Sequence, residues 1–192
     1  MEDAMNLAKF KGKLSLLNDI IYFDTNDYLR EKTTNPLKLK KFINEAEALL
    51  KVMHNEENRY FLQGTLGNLY RIHGNPKRAI HYLTYCKTFA VEQKNTNREI
   101  VSLIRLGEAF KYKEERMRAL ELFNEAVKKC TKYNTSYLDF ALQHKGKCLM
   151  EIGNMDEAKE CLQEALQLRK VNGEQSLIDS TQQALDFLSE EG

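Results

Sequence analysis

The chain has 192 residues, 42% of them hydrophobic, and its 29 Lys and Arg stand against 28 Asp and Glu for a formal charge of +1. So balanced a charge argues against a nucleic-acid partner, because proteins that bind DNA or RNA carry an excess of basic residues. Only two prolines and 30% charged residues favour helix throughout. No apolar stretch approaches the roughly 20 residues of a membrane helix, and no signal peptide is recognisable, so we expect a cytoplasmic protein.

The N-terminal segment, residues 1–58, predicts two helices that form a degenerate leading repeat. The first would extend from residue 5 to about residue 32, with Phe23–Asp27 as a candidate break. The second would run from Asn35 to about His54. The first helix carries an apolar stripe at spacings of three and four, formed by Leu7, Phe10, Leu14, Leu17 and Ile21.

Three internal repeats follow, over residues 59–98, 99–137 and 138–174. Each contains a glycine, and the intervals are 40 positions from Gly67 to Gly107 and 39 from Gly107 to Gly146. An alanine follows each glycine after 12 positions, at Ala79, Ala119 and Ala158. We expect each repeat to be a helix, a tight turn and a helix, in which the glycine faces the alanine so that the two backbones pack closely.

The turns between the helices carry their own signals. In Gly74-Asn75-Pro76, glycine can end one helix in the left-handed conformation, asparagine can cap the next, and proline suits its first position. Gly153-Asn154 repeats this arrangement, whereas the middle turn, Tyr112–Glu115, has no glycine, so its helix should end less cleanly. Residues 175–192 predict a capping helix and tail that cover the last repeat.

These repeats resemble tetratricopeptide repeats. Leu66-Gly67-x-x-Tyr70 and Leu106-Gly107-x-x-Phe110 match the first part of that pattern, whereas Lys145 replaces the usual leucine before Gly146. The period exceeds the family's consensus of about 34 residues, with the extra residues placed in 92–98 and 132–136. Repeats of this long variety are similar to those in kinesin light chains, animal spindle-orientation adaptors and bacterial receptors for signalling peptides. The resemblance implies an all-α fold, a right-handed superhelical α-solenoid of antiparallel helix pairs.

The resemblance also implies a protein–protein interaction module, an adaptor or scaffold that binds a peptide or partner helix in the concave groove of the solenoid. In the family's geometry, the inward-facing groove residues are Phe61, Thr65, Asn68, Arg71, Ile104, Arg105, Glu108, Lys111, Tyr112, Phe140, Gln143, His144 and Lys147. Basic residues outnumber acidic ones in this set, so the groove suits a partner with acidic and hydrophobic residues.

Asn68 is the groove residue with the clearest chemistry, because an amide can donate and accept hydrogen bonds together and so hold a peptide backbone. The alternative is a solvated polar side chain of no function. The clamp with which chaperone-binding relatives hold a terminal carboxylate is not reproduced, since Gly64 and His144 stand where basic residues are expected.

Other functions have less support. No phosphate loop, nucleophile elbow or metal-ligand spacing occurs, so we expect no enzyme, no metal and no cofactor. The four cysteines are scattered and predict buried, reduced thiols. Two alternatives stay open: a regulatory receptor for a signalling peptide, and a scaffold that self-assembles through the stripe Leu7–Ile21. The protein would accordingly be a monomer or a homodimer.

Overall fold

The computed structural model describes residues 2–190, which form helices throughout except for one β-hairpin near the N-terminus. A 3-10 turn, Leu14–Leu17, follows the first helix. The helices are α1 (Glu2–Lys13), α2 (Pro36–Val52), α3 (Glu56–Ile72), α4 (Pro76–Glu92), α5 (Thr96–Tyr112), α6 (Arg116–Tyr133), α7 (Leu138–Ile152), α8 (Met155–Asn172) and α9 (Gln175–Glu190). The strands are β1 (Ile21–Asp24) and β2 (Arg30–Thr33), which pair antiparallel.

From α2 to α9 each helix packs against the next one along the chain, as in a solenoid. Helix α5 also contacts α3 and α7, so these three helices form the inner layer, while α4, α6 and α8 form the outer layer. The predicted α-solenoid of antiparallel helix pairs is therefore confirmed. Within residues 2–190, none of the helices combines the length and apolar character that crossing a membrane requires.

Asparagine caps start five of these helices. In each case the side-chain oxygen accepts a hydrogen bond from the backbone N–H three residues later, which satisfies one of the free donors of the first turn. The capping residues are Asn35, Asn55, Asn75, Asn95 and Asn154. Pro36 and Pro76 occupy the first turn after two of these caps, where the missing N–H costs nothing.

The helix ends depend on left-handed residues. Gly74 and Gly153 have φ values of 82° and 89°, as their turns predicted. In the turns that lack glycine, Lys94 and Glu114 take this conformation with φ values of 51° and 67°. A non-glycine residue there costs about 1–2 kcal/mol, so the middle turn carries strain that the glycine turns avoid.

The inter-helix glycines pack against large side chains. A Cβ added to Gly67 would lie 2.4 Å from Leu83 Cγ, and one added to Gly107 would lie 2.6 Å from Phe123 Cε1. At Gly146 the corresponding neighbour is Leu162 Cγ, at 2.8 Å. The predicted alanine is among the nearest atoms only at Gly146, where the Ala158 carbonyl oxygen would lie 3.2 Å from the added Cβ. The nearest neighbour of each glycine is the residue one helical turn after that alanine, and the glycine provides the room for it.

The N-terminal segment departs from the prediction, because its first helix ends at Lys13 and does not continue to residue 32. Ile21-Tyr22-Phe23 is rich in residues that favour strands, and Asp24 accepts a hydrogen bond on its side chain from the Asn26 N–H at 2.9 Å, which favours a turn. Leu7, Phe10 and Leu17 of the predicted stripe are buried against the following helices. The second predicted helix is present as α2.

All four cysteines, Cys86, Cys130, Cys148 and Cys161, are buried free thiols. Burial raises the pKa of Cys86 and that of Cys148 to about 12 each. These thiols are packing residues and not nucleophiles.

Candidate functional site

The inner helices form a concave groove with two chambers that share part of their lining. The larger is a cleft of about 780 Å³ between α3, α5 and the N-terminal segment, and the smaller has about 280 Å³ between α5, α7, α9 and the hairpin. Of the predicted groove residues, Phe61 and Thr65 line the larger chamber alone, and Asn68, Arg71 and Arg105 line both. The smaller chamber is also lined by Ile104, Glu108, Phe140, Gln143, His144 and Lys147.

The two remaining predicted residues, Lys111 and Tyr112, line neither chamber because the β-hairpin lies over them. Lys111 is only 1% exposed. Its ammonium lies 3.0 Å from Glu108 Oε1 and 3.5 Å from Glu151 Oε1. Lys111, predicted as one of the basic residues that face the groove, is instead buried and paired within the chain.

Arg30 of β2 anchors the hairpin to the ends of the inner helices. Its Nη1 donates to Glu114 Oε1 at 2.7 Å and its Nε donates to Glu151 Oε1 at 3.0 Å. Its Nη2 donates to the Lys111 carbonyl at 3.3 Å and also pairs with Glu151. A buried guanidinium with so many charge-assisted bonds fixes the strand firmly, because losing one partner would leave a buried charge unpaired.

Glu31, the next residue of β2, holds the hairpin on the other side of the strand. Its carboxylate pairs with Arg71. Its backbone N–H donates to the Tyr112 hydroxyl at 2.6 Å, and that hydroxyl donates to the Glu31 carbonyl at 3.2 Å. Burial raises the pKa of Tyr112 to about 12, so the hydroxyl stays protonated and can serve both bonds.

The tip of the hairpin is buried between α7 and α9. Leu29 is 3% exposed and joins a core cluster with Leu142 and Leu149, while the Tyr28 ring lies 6.0 Å from that of Phe187. Tyr28 and Leu29 have positive φ values of 48° and 55°. This strain costs about 1–2 kcal/mol per residue, and burying the Leu29 side chain contributes a comparable gain.

Glu108 sits at the centre of the groove's charge network. Its Oε1 lies 3.0 Å from both Lys111 Nζ and His144 Nδ1. Burial alone would raise the pKa of Glu108, but the neighbouring Lys111, His144 and Arg71 lower it well below its usual value. Glu108 is therefore ionised, and together with Glu31 it compensates Arg71 and Lys111. Fewer basic side chains than predicted therefore contribute an uncompensated positive charge to the groove.

Lys147 and Arg105 keep their charges available. Lys147 is 7% exposed, its Nζ lies 4.8 Å from the centre of the Phe23 ring, and it makes no ion pair within residues 5–189. Burial, followed by repulsion from Lys111, lowers the pKa of Lys147 to about 8. Arg105 also lacks an ion pair over that range, and its Nη1 would lie 3.1 Å from a Cβ added at Gly64. Glycine at position 64 therefore gives the guanidinium its space.

Several polar atoms in the groove have no hydrogen-bond partner among the residues that the structure describes. They include Nε and Nη1 of Arg71 and Oε1 of Gln143, both buried side chains of the smaller chamber. Asn68 is half-buried where the two chambers meet, and no bond to its amide occurs over residues 5–189. Buried polar groups are normally paired, so the atoms of Arg71 and Gln143 are free to bond to water or to a ligand that enters the groove.

Sequence reasoning missed the wall of the groove that the N-terminal segment provides. Leu14, Leu17 and Ile21 line the larger chamber, Phe23 lines the smaller, and Glu31 lines both. A signal for this wall was present, because Ile21-Tyr22-Phe23 precedes the turn-forming run Thr25-Asn26-Asp27. In the described residues, no three His, Cys, Asp or Glu side chains are arranged to hold a metal ion.

Comparison with known proteins supports the fold. The tetratricopeptide repeat family matches residues 141–172. The structure is similar to apo RapI, with a TM-score of 0.72 and 13% identity over 100% of this chain and 64% of RapI. It is also similar to a putative kinesin light chain from Podospora anserina with nearly identical tetratricopeptide-like repeats, with a TM-score of 0.61 and 16% identity over 80% of this chain and 78% of that one.

A third similar structure is PlcR from Bacillus thuringiensis in complex with the peptide PapR7 and DNA. Its TM-score is 0.66, with 14% identity over 77% of this chain and 53% of PlcR. This chain thus spans less than two thirds of the length of RapI and of PlcR. No curated protein sequence matches the chain. The chain contains a tetratricopeptide repeat and folds as a solenoid of the long-repeat tetratricopeptide type.

Proposed function

We propose that this solenoid is a protein-interaction module that binds an extended peptide segment of a partner protein along its concave groove. The observation that carries the proposal is the position of Asn68, whose amide lies at the junction of both chambers and has no bond over residues 5–189. Gln143 and Arg71 add an acceptor and donors nearby. Such groups satisfy a peptide backbone whatever its side chains are.

The shape and lining of the groove support a peptide ligand. The larger chamber, at about 780 Å³, falls within the range of about 300–1,000 Å³ that is usual for ligand sites. Phe61, Ile72 and Val101 supply apolar surface there, and Arg105 supplies a positive charge. A partner segment with hydrophobic and acidic residues would complement both.

The similarity to PlcR, a protein solved with a bound peptide, agrees with this assignment without fixing the ligand of this chain. Self-assembly through the N-terminal apolar stripe has less support, since Leu7, Phe10 and Leu17 are buried within the chain and Leu14 and Ile21 are partly buried. The peptide segment is therefore the better-supported occupant of the groove.

The proposal is tested by selecting binders from a library of random linear peptides displayed on phage, with the intact chain as the target. For a selected peptide, Asn68→Ala should weaken binding by roughly 10- to 100-fold, mainly through faster dissociation, because hydrogen bonds to the peptide backbone are lost. Arg105→Glu should instead slow association and flatten its dependence on salt, because the attractive field is removed. Surface plasmon resonance at several salt concentrations measures both rates.

Two exposed residues on the outer helix α6 provide matched controls, Asn124→Ala for the amide and Lys128→Glu for the charge. Both control variants should bind like the parent chain. If Asn68→Ala and Arg105→Glu also bind every selected peptide with unchanged rates, the concave groove is not the binding site.

A further inference from the structure

The β-hairpin has one covered edge and one free edge. Thr34 N–H donates to the Ile20 carbonyl at 2.9 Å, so residues 20 and 34 form a hydrogen-bonded pair. Hydrogen-bonded and non-hydrogen-bonded pairs alternate along an antiparallel ladder. Counted from that pair, Ile21 opposite Thr33 and Phe23 opposite Glu31 occupy the alternate positions of the ladder. Both are therefore non-hydrogen-bonded pairs. Their backbone groups point away from the partner strand.

The outer edge of β2 is blocked at Glu31, although the outward backbone groups of Thr33 make no bond among the residues that the structure describes. The Tyr112 hydroxyl accepts from the Glu31 N–H and donates to the Glu31 carbonyl, which occupies the two outward backbone groups of that residue. This contact also verifies the register, since Glu31 could not reach Tyr112 if its backbone were bonded to Phe23. A further strand cannot add to β2 at this point.

The outer edge of β1 is free in the part of the chain that the structure describes. The N–H and C=O groups of Ile21 and Phe23 point away from β2, and no other element bonds them. Tyr22 and Phe23 are large aromatic residues with exposures of 43% and 42%. An exposed edge with hydrophobic side chains is a template for another strand unless charges or bulges protect it.

We propose that β1 is a strand-pairing site: the extended partner segment adds to its free edge as a third strand and carries an acidic side chain that pairs with Lys147. The inference rests on the proposed function and deepens it, because it states how the partner's backbone is held and which chemistry the partner needs. Main-chain bonds to β1 would supply affinity, and the smaller chamber would supply the selectivity.

The charge of the smaller chamber selects an acidic occupant. Two of its cations are paired within the chain, Arg71 with Glu31 and Arg169 with Asp139, the latter at 2.8 Å. Lys147 and Arg105 have no such partner over residues 5–189. A buried unpaired charge is costly, and a carboxylate brought beside it removes that cost.

The position of Phe23 connects the free edge to this chamber. Its side chain lines the chamber with the Lys147 ammonium against its ring, while its backbone lies on the free edge. Side chains of directly opposite residues on neighbouring strands lie about 4.5–5.5 Å apart at Cβ. A glutamate or aspartate that pairs beside Phe23 would therefore extend into the same chamber and reach Lys147.

The test uses a peptide selected on the intact chain, resynthesised with each backbone nitrogen methylated in turn. Strand pairing predicts an alternating pattern, in which methylation at every second position weakens binding by about tenfold or more and the positions between tolerate it. Hydrogen exchange followed by NMR should show that the Ile21 and Phe23 amides become protected when the peptide binds. Neither readout requires a change in the protein.

Two variants separate the backbone of Phe23 from its side chain. Phe23→Pro removes an outward N–H that makes no bond within the hairpin, so the fold should survive and peptide binding should fall about tenfold or more. Phe23→Leu changes the side chain but keeps the N–H, so it should weaken binding clearly less than Phe23→Pro does, and equal losses for the two variants would argue against a bond to the Phe23 N–H. For the charge, replacing the peptide's acidic residue by its amide should weaken binding to the parent chain but have little effect on Lys147→Met, as a double-mutant cycle requires.

The outcomes distinguish this inference from the proposed function. If methylation shows no alternation and the Ile21 and Phe23 amides exchange as before, strand pairing is wrong, while an effect of Asn68→Ala on the same peptide would keep the groove as the site. A dimer in light scattering without peptide, with those amides protected, would overturn the inference in favour of pairing between two copies of β1. A selection that returns no binder would contradict both proposals.

Discussion

At the scale of single residues, Lys147 is a charged side chain that the fold buries at the expense of its hydration. It lies on α7 beside Phe23 of the hairpin, Glu31 of β2, Lys111 and Glu108 of α5, and Arg169 of α8. Burial and the repulsion from Lys111 lower its pKa from 10.5 to about 8, despite the opposing effect of Glu108 and Glu31. The unfolded chain binds the Lys147 proton more tightly than the folded chain does, so protonation of Lys147 destabilises the fold.

This cost has a definite pH dependence. Below about pH 8 both the folded and the unfolded chain carry the proton, so the full penalty is present. Between about pH 8 and 10.5 only the unfolded chain is protonated, and the free energy of unfolding rises with pH as the penalty is relieved.

Lys147→Met should therefore raise the free energy of unfolding by about 1–3 kcal/mol near pH 7, because methionine fills a similar volume without charge. The gain should shrink toward zero by about pH 10.5, and urea unfolding of both chains at the two pH values measures it. Titrating groups that do not interact with Lys147 are common to both chains and cancel in the difference, whereas its charged neighbours Lys111, Glu108, Glu31 and Arg169 are coupled to it. An equal gain at both pH values would assign the effect to packing and not to charge.

At the scale of secondary-structure elements, the helix pairs depend on glycines that make room for large side chains. Gly107 of α5 lies against Phe123 of α6, as Gly67 lies against Leu83 and Gly146 against Leu162. Glycine within a helix normally costs about 0.5–1 kcal/mol relative to alanine. The repeats keep it because the neighbouring aromatic or leucine occupies the space that a methyl group would fill.

Gly107→Ala should thus lower the free energy of unfolding by about 1–3 kcal/mol, since overpacking outweighs the gain in helix propensity. The matched control is Gly12→Ala in α1, where an added Cβ would meet no atom within 4 Å. That control should be neutral or should stabilise the chain by up to about 1 kcal/mol. If Gly107→Ala were as stable as the control in urea unfolding, the close packing of α5 on α6 would be contradicted.

At the scale of the whole molecule, α9 closes the solenoid and also supports the hairpin. Ala184 and Leu188 are buried in the cluster that contains Leu29. Arg169 donates to the Leu177 carbonyl at 3.1 Å and to Thr181 Oγ1 at 2.7 Å, both on α9. Helix α9 therefore covers both the last repeat and the tip of the hairpin.

Deleting residues 175–192 should expose this apolar cluster and leave Arg169 with fewer partners, so we expect oligomers or aggregation and a lower melting temperature. Size-exclusion chromatography with light scattering measures the first effect and calorimetry the second. Gln182→Ala, on the exposed side of α9, is the control and should behave like the parent. A truncated chain that remains a monomer with an unchanged melting temperature would show that α9 is dispensable.

The sequence by itself determined the repeating part of this protein, because the signals there are local. The positions of Gly67, Gly107 and Gly146 predicted the helix pairs, and Gly74 and Gly153 predicted turns that the structure confirms. Helix propensity, capping and left-handed glycine all act within a few residues of chain. The regular stacking of such pairs then placed most predicted groove residues on the lining of the two chambers.

Only the tertiary structure decided what the groove presents to a partner, because that depends on contacts between distant parts of the chain. Arg30 pairs with Glu151 and Glu31 pairs with Arg71, so the hairpin covers Lys111 and Tyr112 and neutralises Arg71. Glu108 and Glu151 of the inner helices neutralise Lys111. The sequence signal for the hairpin, Ile21-Tyr22-Phe23, is only three residues long. It overlaps the end of the apolar stripe Leu7–Ile21, whose helical spacing predicts a helix. Which cations remain unpaired, and which strand edge remains open, follows from where that hairpin packs, and a pattern of neighbouring residues does not contain that information.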